Sequence, residues 1–128
     1  MFLNFASQDE RREYGGTGFI ELQFCNLPEG TPVQTILSLD YIEFWHNDSL
    51  YVRGDSPLYA EYKNIFGKGI YSNLSEGLFD YYGINYYKPE QIDEIVNRAR
   101  EYKPDGYEIL IDWLKEAKQY NGFYILGM

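Results

Sequence analysis

Residues 18–25, Gly-Phe-Ile-Glu-Leu-Gln-Phe-Cys, alternate in polarity: Ile20, Leu22 and Phe24 fall on one side, Glu21 and Gln23 on the other. A period of two is a strand signal, and the polar alternates predict one wet face. Further along, the period changes. Leu58, Tyr62, Ile65 and Phe66 recur at helical spacing after Ser56-Pro57, read as an N-cap and first-turn proline, and Gly67 supplies a stop. A second helix is predicted from Pro89, with Ile92, Ile95, Val96, Ala99 and Tyr102 on one stripe, ending before Pro104. A third runs from about Asp105 to Tyr120 on Tyr107, Leu110, Ile111, Leu114 and Ala117, widened by Ile109 and Trp113. Residues 123–127, FYILG, suit a strand buried on both faces. Strands followed by helices predict an α+β fold: a mostly antiparallel sheet of about five or six strands in one layer against about two or three helices. A chain of 128 residues, 45% hydrophobic, fits one domain spanning 1–128.

Two segments of the first half decide where a functional face is expected. In residues 40–54, DYIEFWHNDSLYVRG, two β-prone runs flank His46-Asn47-Asp48 and predict a hairpin. A three-residue loop opposes Trp45 to Ser49, Phe44 to Leu50 and Ile42 to Val52, leaving Tyr41, Glu43, Trp45, Tyr51 and Arg53 together on the outer face. The N-terminal FLNFA is expected to pair with residues 19–25 across the glycine-rich connection YGGTG. Residues 27–37, with two prolines and a glycine, fit a helical turn or a strand entry equally.

The stretch FDYYGINYYKPE, residues 79–90, holds five aromatic rings of an excess that reaches 19% with 14 Tyr and is spread along the whole chain. Strand alternation in INYYK turns Ile84 and Tyr86 one way and Asn85 and Tyr87 the other. Phe79, Ile84 and one tyrosine of the 86/87 pair are expected inside, with Tyr81 and Tyr82 near the surface.

Eleven Lys and Arg against twenty Asp and Glu give a formal net charge of −9. That field disfavours nucleic acid and anionic membrane surfaces as partners. Residues 1–60 carry nine acids and three bases, so −6 of the charge lies in the first half. Cys25 is the lone cysteine, and residues 1–14 lack a basic start and a long apolar run, which points to a cytoplasmic protein.

Chemical motifs do not accumulate. His46 lacks further ligands or a nucleophile at a useful spacing, and Cys25 lacks a neighbouring His or a CxxC partner. Neither GGTG (15–18) nor GKG (67–69) follows a strand and opens a helix, so no phosphate loop, metal or cofactor is expected. Aromatic side chains set among acids point instead to a protein-binding surface for a basic partner, built from Tyr41, Glu43, Trp45, Tyr51, Arg53, Tyr81 and Tyr82. In general character (short, acidic, aromatic-rich, without catalytic residues) the chain is similar to the immunity proteins that bacteria hold against their own nuclease toxins. A small-ligand domain or enzyme with an aromatic, carboxylate-lined pocket is the alternative, and a homo-oligomer whose aromatic face is covered by its own copy is a third reading.

Overall fold

A computed structural model describes residues 1–15, 18–43 and 45–127. Six strands form one antiparallel sheet: β1 (Phe19–Phe24), β2 (Leu50–Arg53), β3 (Gly69–Tyr71), β4 (Glu76–Gly77), β5 (Ile84–Tyr87) and β6 (Phe123–Leu126), ordered β2-β1-β6-β5-β3-β4. The helices are α1 (Gln8–Gly15), α2 (Val33–Ile36), α3 (Leu58–Phe66), α4 (Ile92–Tyr102) and α5 (Tyr107–Ala117), with 3-10 turns at Leu39–Tyr41 and Pro89–Gln91. The arrangement is α+β, as the switch in period predicts. No helix among the described residues is long and apolar enough to cross a membrane.

β6 sits between β1 and β5, and its position explains its apolar sequence: Phe123, Tyr124 and Ile125 are all buried. Gly122 feeds it from the end of α5 at φ +83°, where an added Cβ would run into the Tyr87 carbonyl. On one face of the sheet, Ile20, Leu22, Leu50, Val52, Tyr87, Phe123 and Ile125 pack under α3, α4 and α5. The rings of Tyr87 and Phe123 stack there with centroids 4.9 Å apart, and full burial of such a side chain is worth roughly 1.5–3 kcal/mol. The helical stripes match the predicted ones except at their edges, where Tyr102 and Ile109 stand exposed. The α3 start differs as well: Pro57 occupies the N-cap and Ser56 Oγ makes no capping bond.

The other face corrects the sequence reading most. All six residues of β1 are buried, Glu21 and Gln23 included, so the expected wet face is covered. The cover comes from the chain's first half. Helix α1 was not anticipated as an element; the Ser7 hydroxyl accepts from Glu10 N at 3.1 Å, and the Glu10 carboxylate accepts from Ala6 N at 3.1 Å, a variant of the capping box. Residues 32–36 resolve the open choice as a helical turn. Phe5, Phe19 and Tyr51 form one small cluster on this face, with Trp45 against it, while Ile36, Leu37, Ile70, Tyr86 and Tyr124 form another.

The 40–54 hairpin does not form. β2 pairs with β1 instead, in the register Ile20↔Val52 and Leu22↔Leu50, which places four aliphatic side chains together under the helices. Residues 39–41 coil into a 3-10 turn, and Trp45 opposes no strand partner; the predicted Phe44–Leu50 pairing falls on a residue outside those described. The N-terminal FLNFA does not pair with β1 either: Leu3 bridges Tyr51 of β2, through two backbone hydrogen bonds of 2.8 Å.

Candidate functional site

The two clusters on the covered face do not meet over the middle of β1, and the gap between them is a groove of about 520 Å³. Its lining includes Phe19 and Glu21 from β1, Leu39, Ile42 and Glu43 from the segment after α2, and Tyr82 from the turn before β5. The rim is apolar and open to solvent: Leu39 is 70% exposed and Tyr82 79%. Such a volume lies within the roughly 300–1,000 Å³ typical of ligand sites.

Glu21 is the feature that sets this groove apart. It is 5% exposed, in mid-strand, yet carries a carboxylate. Its Oε2 accepts from Ser49 Oγ at 2.7 Å and Gln23 Nε2 at 3.0 Å, and the Tyr51 hydroxyl lies 3.3 Å away. Gln23 also donates to the Glu43 backbone carbonyl at 2.9 Å, tying the groove wall to the strand. Among the described residues no hydrogen bond reaches Glu21 Oε1, and no Lys, Arg or His forms an ion pair with the carboxylate. Burial raises its pKa above the ordinary 4.5; the bonds from Gln23, Ser49 and Tyr51 and the nearby His46 act the other way.

Arg11, on α1, is the groove's own cation. Its guanidinium carbon lies 5.4 Å from the centre of the Tyr51 ring, and its Nε is buried without an acceptor among the described residues.

No family model, curated protein or solved structure matches the chain.

The residues predicted as one binding face separate. Glu43 and Tyr82 line the groove, and Tyr41 stands 54% exposed next to Ile42 in the chain. Glu43 does not oppose Arg53; its Oε2 is 3.1 Å from His46 Nε2. Arg53 pairs with Asp55 at 3.4 Å, beside a separate shallow depression near Gly18 and Gly54. Trp45 is half-buried against Phe5, Phe19 and Tyr51, and Tyr51 itself is fully buried. Tyr81 is an anchor: its hydroxyl accepts from Tyr59 N at 3.0 Å, while its ring packs near Phe79 on the helical side. Of the neighbouring stretch, Phe79, Tyr86 and Tyr87 are all buried, so both tyrosines of the pair are core, and Ile84 is partly buried. Glu21, Arg11, Leu39 and Ile42 were missed as site residues. The capping signal Ser7–Glu10 marks the helix that brings Arg11 to the groove.

A second depression, about 500 Å³, lies between residues 25–29 and 118–121. Its Lys118 is tied to Asp93 at 2.8 Å and its buried Cys25 thiol faces the Tyr124 hydroxyl at 3.6 Å, so its chemistry is already satisfied internally.

Proposed function

We propose that this chain is a binding domain for a basic protein partner, of the kind an immunity protein makes with a toxin. The observation that carries the reading is the pairing of exposed apolar side chains, Leu39, Tyr41 and Tyr82, with a groove lined by Glu21 and Glu43 in a chain of net charge −9. Exposed large apolar side chains supply contact area that water does not reward. Carboxylates around them accelerate encounter with a cationic surface. Tyrosine is among the residues enriched at energetic centres of interfaces.

The test is capture from the native host with the wild-type chain and with Tyr82→Ala, the adjacent gene's product being examined first. The reading expects a basic protein retained by the wild type and lost from the variant at unchanged melting temperature. Retention that ignores Tyr82 and ionic strength would contradict it.

A small-ligand domain is favoured by one observation, the groove's size together with its buried carboxylate. Glu43, however, is engaged by His46, which argues against two free carboxylates converging on one substrate. A panel of small neutral and cationic metabolites that bound more tightly than any protein would favour this second reading.

A further inference from the structure

We propose that the groove over β1 is a receptor for an arginine side chain of the partner, with Glu21 as the acceptor at its floor. The inference rests on the basic-partner reading and gives it a chemistry.

Three observations lead to it. The first is an imbalance of charge. Glu21 is held in mid-strand at 5% exposure with Oε2 committed to Ser49 and Gln23, and Oε1 takes no donor from the described residues. A buried carboxylate without a cation is costly, and a partner that supplies one recovers part of that cost. The second is the groove's own cation. Arg11 lies over the Tyr51 ring instead of pairing with Glu21, and Glu43 is engaged by His46, so Glu21 is the lining carboxylate that no cation pairs with among the described residues. That unpaired carboxylate attracts a positive ligand.

The third is shape. Leu126 and Ile84 continue the row of Glu21 across the sheet, and with Leu39 and Ile42 they give the groove an apolar lining around the carboxylate. An arginine matches that profile because its methylene stem buries along apolar surface while its planar head donates hydrogen bonds. Tyr82, 79% exposed on the rim, offers a ring face on which a guanidinium stacks.

The probes are acetyl-Gly-Arg-Gly-amide and the same peptide with citrulline, which keeps the shape of the side chain and removes its charge. Each is titrated into ¹⁵N-labelled protein. With arginine, the amides of Glu21, Leu39, Ile42, Glu43 and Tyr82 are expected to shift together, and citrulline is expected to bind roughly tenfold or more weakly, the worth of one charged hydrogen bond. Glu21→Gln is expected to abolish the discrimination between the two peptides. Tyr82→Ala, on the exposed rim, weakens the arginine peptide severalfold without touching the floor, which keeps the test decisive if the floor variant fails to fold.

Equal affinity for both peptides, shifts confined to another surface, or no shift at all would overturn the assignment. If the groove stays silent while Tyr82→Ala still abolishes partner capture, the arginine inference falls and the basic-partner reading stands. If partner capture is also indifferent to Tyr82, both fall.

Discussion

Glu21 and Tyr51 are direct cross-strand partners in β1 and β2, and the Tyr51 hydroxyl stands 3.3 Å from Glu21 Oε2. The same hydroxyl is 3.0 Å from the His46 carbonyl and accepts from His46 N at 3.0 Å. Burial and the adjacent carboxylate push its pKa upward, so it remains a proton donor across the accessible pH range. The pair therefore fixes both the floor of the groove and the entry into the 46–49 turn.

Replacing Tyr51 by Phe tests that role. The ring stays, the hydroxyl goes, and the expected loss is about 1 kcal/mol in denaturant unfolding. Because the lost bond favours the ionised carboxylate, the Glu21 titration midpoint should rise further. A Tyr51→Phe protein with an unmoved Glu21 midpoint would remove the hydroxyl from the network.

Glu21→Gln should raise stability at neutral pH. The fold raises the Glu21 pKa through burial, so the folded state holds this proton to a higher pH than the unfolded chain does. Its contribution is fully present below the ordinary value of 4.5 and is lost as pH rises through the folded value. Glutamine keeps an acceptor for Ser49 and Gln23 and carries no charge. Melting temperatures of the two proteins should coincide near the acid end and separate by a few degrees at neutral pH, with the variant higher. A variant less stable at neutral pH would mean that the network needs the negative charge.

Two aromatic truncations should divide stability from binding. Tyr82→Ala removes a ring that is 79% exposed and should cost less than about 0.5 kcal/mol. Trp45→Ala opens the cluster of Phe5, Phe19 and Tyr51 and should cost about 2 kcal/mol or more. Urea titrations of both variants measure the difference, and equal costs would contradict the burial pattern.

Association with the partner should slow severalfold as ionic strength rises from about 0.05 M to about 0.5 M, with dissociation changing much less. Stopped-flow or surface-based kinetics separates the two rates. Association insensitive to salt would remove the long-range attraction expected of a −9 chain.

The helical half of the fold was legible because each stripe lies on one side of a helix and faces one sheet. Leu58, Tyr62, Ile65 and Phe66 were placed from spacing alone, and all are buried. The hairpin was not legible, for a physical reason. β-prone residues report that a segment fits a pleated surface, not which strand it joins. Leu50 and Val52 found Leu22 and Ile20, 28 and 32 residues away in sequence, and Ile42 and Trp45 became part of the cover. The same substitution of partners hid the floor of the groove. Glu21 alternates with apolar neighbours and reads as solvent-facing; Ser49 and Tyr51, brought over it by the pairing of β2 with β1, close around its carboxylate. Tyr82, next to a glycine in a turn, was legible as exposed, whereas Tyr51 was not legible as core because its burial depends on Phe5 and Phe19 arriving from elsewhere.

The most direct measurement is a pH titration of the Glu21 side-chain carboxyl by ¹³C NMR, with and without the arginine peptide. The free protein should give a midpoint above the ordinary 4.5, and the arginine peptide, unlike its citrulline counterpart, should bring it down. A midpoint identical with either peptide and without both would show that no cation reaches the floor of the groove.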